Sequence, residues 1–201
     1  MQHSKASYSI ILLSVLTIAV CLLACNSPFS FKKKGYFRID FPEKEYRVFD
    51  EPGYPYTFEY PVYGKISRDT SFFDTKAGDW WINIDFPQFR GRFYVSYKPV
   101  RGNNFDSLVS DGFTMAYKKH TEMSTGISDS VMHTANGADG VFFSLSGNTA
   151  TANQFFLSDS TSHFLRGALY FDASPNEDSL GIVNEFLKQD LRHLINTLKW
   201  R

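Results

Sequence analysis

The tetrapeptide Leu22-Leu23-Ala24-Cys25 is the clearest spacing in this chain that dictates covalent chemistry. An apolar run from Ile10 to Leu23 precedes it, a short n-region carries Lys5, and small Ala24 stands just before the thiol. This pattern resembles a bacterial lipobox, in which Leu22, Leu23 and Ala24 are read by signal peptidase II and Cys25 becomes the lipidated first residue. The competing reading, a transmembrane helix, needs about 20 apolar residues. The run from Ile10 to Leu23 is shorter and fits a signal-peptide h-region, so residues 1–24 are expected to be removed. Lipid on Cys25 would attach the protein to a membrane without spanning it.

Other residue types invite a search for catalysis. Asp159, Ser160 and His163 crowd one turn and supply the groups of a hydrolytic triad. Triads, however, converge from separate elements, and Ser and Asp in a hairpin turn ordinarily bond nearby backbone. Arg166 falls in a strand that is apolar on both faces, so it needs a carboxylate inside the fold or a ligand at its surface. Asp85, beside Trp81 in another strand, is the candidate partner, and Arg166, Asp85 and Trp81 form the candidate structural or ligand-facing set. His120, His133, His163 and His193 lack metal-ligand spacing. With no phosphate loop, zinc helix, Cys-x-x-Cys or nucleophile elbow, the sequence predicts neither metal nor cofactor, and no catalytic residue.

Composition narrows the class further. Removal of 24 residues from 201 leaves 177, the size of one domain with a sizeable core. Cys21 leaves with the leader and Cys25 carries lipid, so no disulfide is expected and stability must come from packing. The 20 Phe and 11 Tyr supply the apolar surface. Residues 35–201 carry 17 basic and 21 acidic groups, a net −4, which excludes a basic nucleic-acid footprint. Lys32, Lys33 and Lys34 lie in residues 25–34, read as a lipidated tether. They either meet anionic headgroups, at about 1 kcal/mol each, or merely space the domain from the membrane.

The elements that must position these groups follow in order. Tyr36 to Phe41 and Tyr46 to Phe49 read as extended, and Pro52, Pro55 and Pro61 limit the aromatic stretch between them to edge strand or extended chain wrapping a core. Trp80, Ile82, Ile84 and Phe86 alternate with Trp81, Asn83 and Asp85, turn at Pro87 to Gly91, and return through Phe93, Val95 and Tyr97 as a hairpin. A middle helix is predicted from Asn104, as N-cap, to His120. Strands follow at Val141 to Leu145, Gln154 to Leu157 and His163 to Phe171, the last central and covered on both sides. Ser174, Pro175 and Glu177 predict the capped start of a long helix to Trp200 with a stripe through Leu180, Val183, Leu187, Leu191, Leu194 and Leu198. The expected class is α+β, a mainly antiparallel sheet with the middle helix and long C-terminal helix packed on its faces.

Three ordered blocks carry a family resemblance. They are Gly35-Tyr36-Phe37-Arg38-Ile39-Asp40-Phe41-Pro42-Glu43-Lys44-Glu45-Tyr46-Arg47, then Trp80 to Pro87 with Ser96 to Pro99, then Gln154 to Leu157 with His163 to Phe171 and the Pro175-Asn176 helix start. This string resembles the gliding motility lipoprotein GldD family of bacteria that carry a type IX secretion system. The resemblance spans residues 35–201, taken as a single domain, and brings no catalytic residue with it. It implies a lipid-anchored envelope component, partnered by other gliding and secretion machinery proteins. The element order also resembles PsbP-like sandwich domains, a fold-level analogy. Asn26-Ser27-Pro28-Phe29 lacks the acidic cluster that resembles a surface-export signal and the aspartate of inner-membrane retention, so a periplasm-facing domain on the inner leaflet of the outer membrane is expected. A small-ligand-binding lipoprotein and a hydrolase built on the Asp159 turn are the alternative functions.

Overall fold

The computed structural model describes residues 13–15, 17, 38–69, 78, 80–118 and 120–201. Leu22, Leu23, Ala24, Cys25 and the tether lysines lie outside the described residues. Residues 13–15 and 17 are helical. Among the described residues no helix is long and apolar enough to cross a membrane. Asp40–Arg201 forms a compact unit.

Among the described residues ten strands and two long helices build that unit: β1 Tyr46–Phe49, β2 Tyr56–Pro61, β3 Lys65–Arg68, β4 Ile82–Phe86, β5 Gly91–Pro99, α1 Phe105–Tyr117, β6 Ser124–His133, β7 Asp139–Gly147, β8 Asn153–Ser158, β9 His163–Phe171, α2 Glu177–Thr197 and β10 Lys199–Trp200. They form a seven-stranded sheet in the order β3-β4-β5-β9-β8-β7-β6 and a three-stranded sheet in the order β1-β2-β10. Every pairing is antiparallel. The architecture is therefore α+β, as the pattern of elements predicts.

β9 sits in the middle of the large sheet, where its two apolar faces require it to be. One face, with Leu165 and Leu169, joins Phe93, Phe155 and the α2 residues Leu187, Leu191 and Leu194 in a core that also takes Tyr56 and Phe58 from the small sheet. The other face supplies Phe164 to a second cluster with Phe143, Phe156, Leu108 and Ala116, closed by α1. Aromatic residues dominate both layers, and Tyr56, Phe58, Phe93 and Phe155 are at most 1% exposed. At Gly167, in the central strand, an added methyl would collide with the rings of Phe93 and Phe155, so the bare backbone is what lets those rings meet at 5.6 Å.

Several local expectations shift. The residues from Arg38 to Glu45 carry no strand. β2 is not an edge but the centre of its sheet, because Pro55 lies before it and Pro61 is its last residue, leaving the intervening N–H groups free to pair. The β4–β5 turn runs through a 3-10 turn at Pro87–Phe89 and reverses at Arg90, φ 50°, and Gly91, read as the end of the turn, is the first residue of β5. Asn104 precedes α1, yet its side chain bonds backward, accepting from Arg101 N–H at 2.8 Å and donating to Pro99 O at 3.3 Å. α2 starts two residues later than Ser174 predicts: Asn176 Oδ1 accepts from Ser179 N–H at 3.1 Å, and Asn148 Oδ1 accepts from Glu177 N–H at 2.9 Å. The helix ends at Thr197, and residues 199–200 leave it to pair with β2.

α2 also buries one charge. Asp190 is 1% exposed and accepts from Lys44 Nζ at 2.7 Å, from Tyr46 OH at 2.9 Å and from Tyr63 OH. Lys44 Nζ further donates to Phe186 O at 2.9 Å and lies 3.4 Å from the Phe186 ring centroid. Burial lowers the Lys44 pKa against the opposing pull of Asp190, whereas burial and the hydrogen bond to Asp190 raise those of Tyr46 and Tyr63. The cluster fastens the segment leading into β1 onto α2.

Candidate functional site

The face of the large sheet that receives α1 is only partly covered by it. Phe113 of α1 packs against Phe143 and Phe156, on β7 and β8. Beyond the helix, β4, β5 and β9 present their alternate residues in register: Asp85 opposite Arg92 opposite Tyr170, Asn83 opposite Tyr94 opposite Ala168, and Ser96 opposite Arg166. Period-two alternation puts these side chains on one face because Val95 and Tyr97, between them in β5, point into the opposite core.

Trp81, just before β4, is anchored there by its indole Nε1–H, which donates to Tyr97 O at 2.8 Å. It shares a cleft of about 220 Å³ with Arg166, Ser96, Tyr94, Asp111 and Met115. The structure therefore brings two of the three candidate residues together. Asp85 is the exception, and the expected Arg166–Asp85 pair does not form. Asp85 lies four residues from Trp81, roughly 13 Å along the strand. It binds its direct cross-strand neighbour instead, accepting from Arg92 Nε at 2.5 Å, with Ser67 Oγ at 3.4 Å. That hydrogen bond raises the Arg92 pKa.

Arg166 finds an amide rather than a carboxylate: its Nη2 donates to Gln154 Oε1 at 2.5 Å. Burial pulls the guanidinium below its usual pKa, and Tyr170 works against that shift. Gln154 is 1% exposed, and its Nε2 is a buried donor without a hydrogen-bond partner among the described residues. Tyr94 and Tyr170 meet edge to face at 5.6 Å, with the Arg92 guanidinium 5.8 Å from the Tyr94 ring. Tyr94 is 39% exposed and gives this face an aromatic surface open to solvent. Ser96, Asp111 and Met115 escaped the sequence reading. The β5 alternation marks Ser96 as facing away from Val95 and Tyr97, but nothing local shows which strand α1 will border.

The Asp159 turn is spent on structure. Asp159 Oδ1 accepts from the N–H groups of Thr161, Ser162 and His163 at 3.0, 2.8 and 2.8 Å. Burial would raise this carboxyl, but the backbone donors of Ser162, His163 and Thr161, aided by the His163 charge, hold it below its ordinary range. His163 Nε2 is 4.0 Å from Asp159 Oδ2, outside hydrogen-bond reach, while Nδ1 meets Tyr97 OH at 2.7 Å. The Trp200 ring stacks on the imidazole at 5.0 Å. Clamped this way, the imidazole is not oriented by the carboxylate as a triad requires.

The other histidines among the described residues are similarly engaged. His193 Nε2 lies 2.6 Å from Glu59 Oε2 under the Tyr46 ring, His133 Nδ1 lies 3.3 Å from Asp139, and the backbone of His120 closes the turn after α1. Among the described residues no group of three or more His, Cys, Asp or Glu could hold a metal ion.

Comparison with known proteins gives one firm relationship. The solution structure of cyanobacterial PsbP (CyanoP) from Synechocystis sp. PCC 6803 is similar over 87% of this chain and 100% of its own, at 9% identity and a TM-score of 0.44. No protein of curated function matches the chain. The profile of the family described as gliding motility lipoprotein GldD matches residues 26–200, nearly the whole of the sequence after Cys25. The chain belongs to the gliding motility lipoprotein GldD family.

Proposed function

We propose that this protein is a lipid-anchored, non-enzymatic accessory of the gliding machinery, linked to type IX secretion, that works by binding other envelope proteins. The observation that carries the binding role is the open half of the large sheet beyond α1, where Tyr94, Tyr170 and Arg92 form an aromatic and cationic surface. Tyrosine and arginine are the residue types that concentrate binding energy at protein interfaces. The anchor is the lipid on Cys25, and the domain faces the periplasm from the inner leaflet of the outer membrane. Residues 25–34 form the tether, about 35 Å when fully extended.

A photo-crosslinking residue at Tyr94 in living cells tests the binding role, with the same residue at exposed Ile182 of α2 as the control. Adducts to other envelope proteins from position 94, and none from 182, are expected. Equal or absent adducts at both positions would refute the assignment of this face. Cys25→Ser should abolish lipid labelling and leave precursor, and protease should reach the domain only after the outer membrane is permeabilised. Digestion in intact cells would overturn the orientation.

A further inference from the structure

We propose that the cleft between α1 and the β4–β5–β9 face is a binding pocket for a small monocarboxylate with a flat apolar body, Arg166 taking the carboxylate. This goes beyond the protein-binding role and does not depend on it.

Three observations converge on that chemistry. Arg166 is a partly buried cation whose hydrogen bond to Gln154 Oε1 fixes its orientation, and among the described residues it forms no ion pair. A guanidinium carries five N–H donors in a planar fork that matches a carboxylate, and Gln154 and Tyr170 take only some of them. The Nε2 of Gln154, beside it, is a further buried donor without a hydrogen-bond partner among the described residues. A carboxylate from outside would take the guanidinium donors that Gln154 and Tyr170 leave.

The walls select the rest of the ligand. Trp81, held by Tyr97 O, and Tyr94 offer ring surface on the sheet side, while Leu108 and Met115 offer aliphatic surface from α1. Ser96 and Gly112, both small, line the cleft, and Gly112 lets α1 sit close on the Phe156 ring. A methyl on Gly112 would come within 2.9 Å of the Phe156 ring and push the helix away. At about 220 Å³ the cleft is below the range typical of drug-sized ligands, so it suits a molecule of one ring or a short chain. Asp69 and Asp111 line the same cleft beside Lys98, and two nearby carboxylates penalise a second negative charge on the ligand. Monocarboxylates should therefore outbind dicarboxylates and phosphates.

The test is titration of the purified full-length protein in detergent with phenylacetate, followed by calorimetry and by tryptophan fluorescence. Phenylacetate is expected to saturate one site, with phenylacetamide, phenylmalonate and phenyl phosphate each at least 10-fold weaker. Arg166→Gln should abolish binding. Because that variant also removes the bond to Gln154, Met115→Trp serves as a second: Met115 is 43% exposed on α1, so the larger side chain narrows the mouth without entering the core. It should weaken phenylacetate at least 10-fold with an unchanged thermal midpoint. Absence of saturation, equal binding of phenylacetamide, or full binding by Met115→Trp would overturn the proposal. Saturation by an acidic peptide but not by phenylacetate would also overturn it and give the cleft to a protein partner. Crosslinking from Tyr94 is read independently, so either proposal can fail alone.

Discussion

Replacing Asp190 by alanine removes the acceptor on which Lys44 Nζ, Tyr46 OH and Tyr63 OH converge. Each buried donor left without a partner costs about 1–3 kcal/mol. Lys44 sits at the low end of that range, because it keeps Phe186 O at 2.9 Å and Tyr63 OH at 3.1 Å and its side chain is 25% exposed. The tyrosines retain their burial and lose their acceptor. Breaking a buried ion pair by deleting one member typically costs about 3–5 kcal/mol, and the parts above, about 3–7 kcal/mol together, overlap that interval. Urea unfolding of Asp190→Ala, followed by far-ultraviolet circular dichroism, should show that loss with an unchanged m-value. Asp190→Leu combined with Lys44→Met should recover part of it, since an apolar pair of similar volume removes the uncompensated charge. A loss below about 1 kcal/mol, or a double variant weaker than the single, would refute the view that the cluster fastens the chain before β1 to α2.

Asn176→Ala should destabilise by about 1 kcal/mol while Ser174→Ala stays neutral, because the capping side chain is Asn176; the reverse order in thermal unfolding would restore Ser174 as the cap. Gly167→Ala should cost about 1–3 kcal/mol or prevent folding, as its methyl would displace the Phe93 and Phe155 rings; an unchanged thermal midpoint would show that the rings yield freely. The depressed Asp159 pKa sets a pH dependence. Its stabilisation is complete above the unfolded value of about 3.9 and is lost as pH falls through the lower folded value. Asp159→Asn should flatten stability against pH in that acid window, and a variant that tracks the wild type there would contradict the assignment.

The large sheet was legible where burial is two-sided or strictly alternating. β9 declares its central place because Phe164, Ala168 and Tyr170 oppose Leu165, Leu169 and Phe171, and the β4–β5 hairpin declares itself by period two. β6 was silent, since Ser124–His133 is polar and mostly exposed, an edge whose strand character comes from pairing with β7. β10 was silent for another reason: two residues carry no pattern, and only β2 gives them an extended partner. Asp190 was hidden by its type. A carboxylate between Leu187 and Leu191 reads as the polar side of a stripe until Lys44, Tyr46 and Tyr63 arrive from far along the chain to satisfy it. For the candidate site, Arg166 and Trp81 stood out by burial mismatch and size, whereas the Asp85 partnership failed because register along a strand is invisible before the strands are aligned.

The pairing of β10 with β2 ties the closure of the small sheet to the order in which its strands become available. Lys199 pairs with Thr57 and Trp200 with Tyr56, about 140 residues later in the chain, and Arg201 N–H donates to Pro55 O at 3.0 Å. In a chain made from N- to C-terminus, β2 is present long before β10. Until residues 199–201 arrive, one flank of β2 is open, Leu198 has not reached its buried place, and His163 lacks the Trp200 ring that covers it. A chain that ends before residues 199–201 therefore leaves the small sheet incomplete, and that sheet closes only through a contact made across most of the domain.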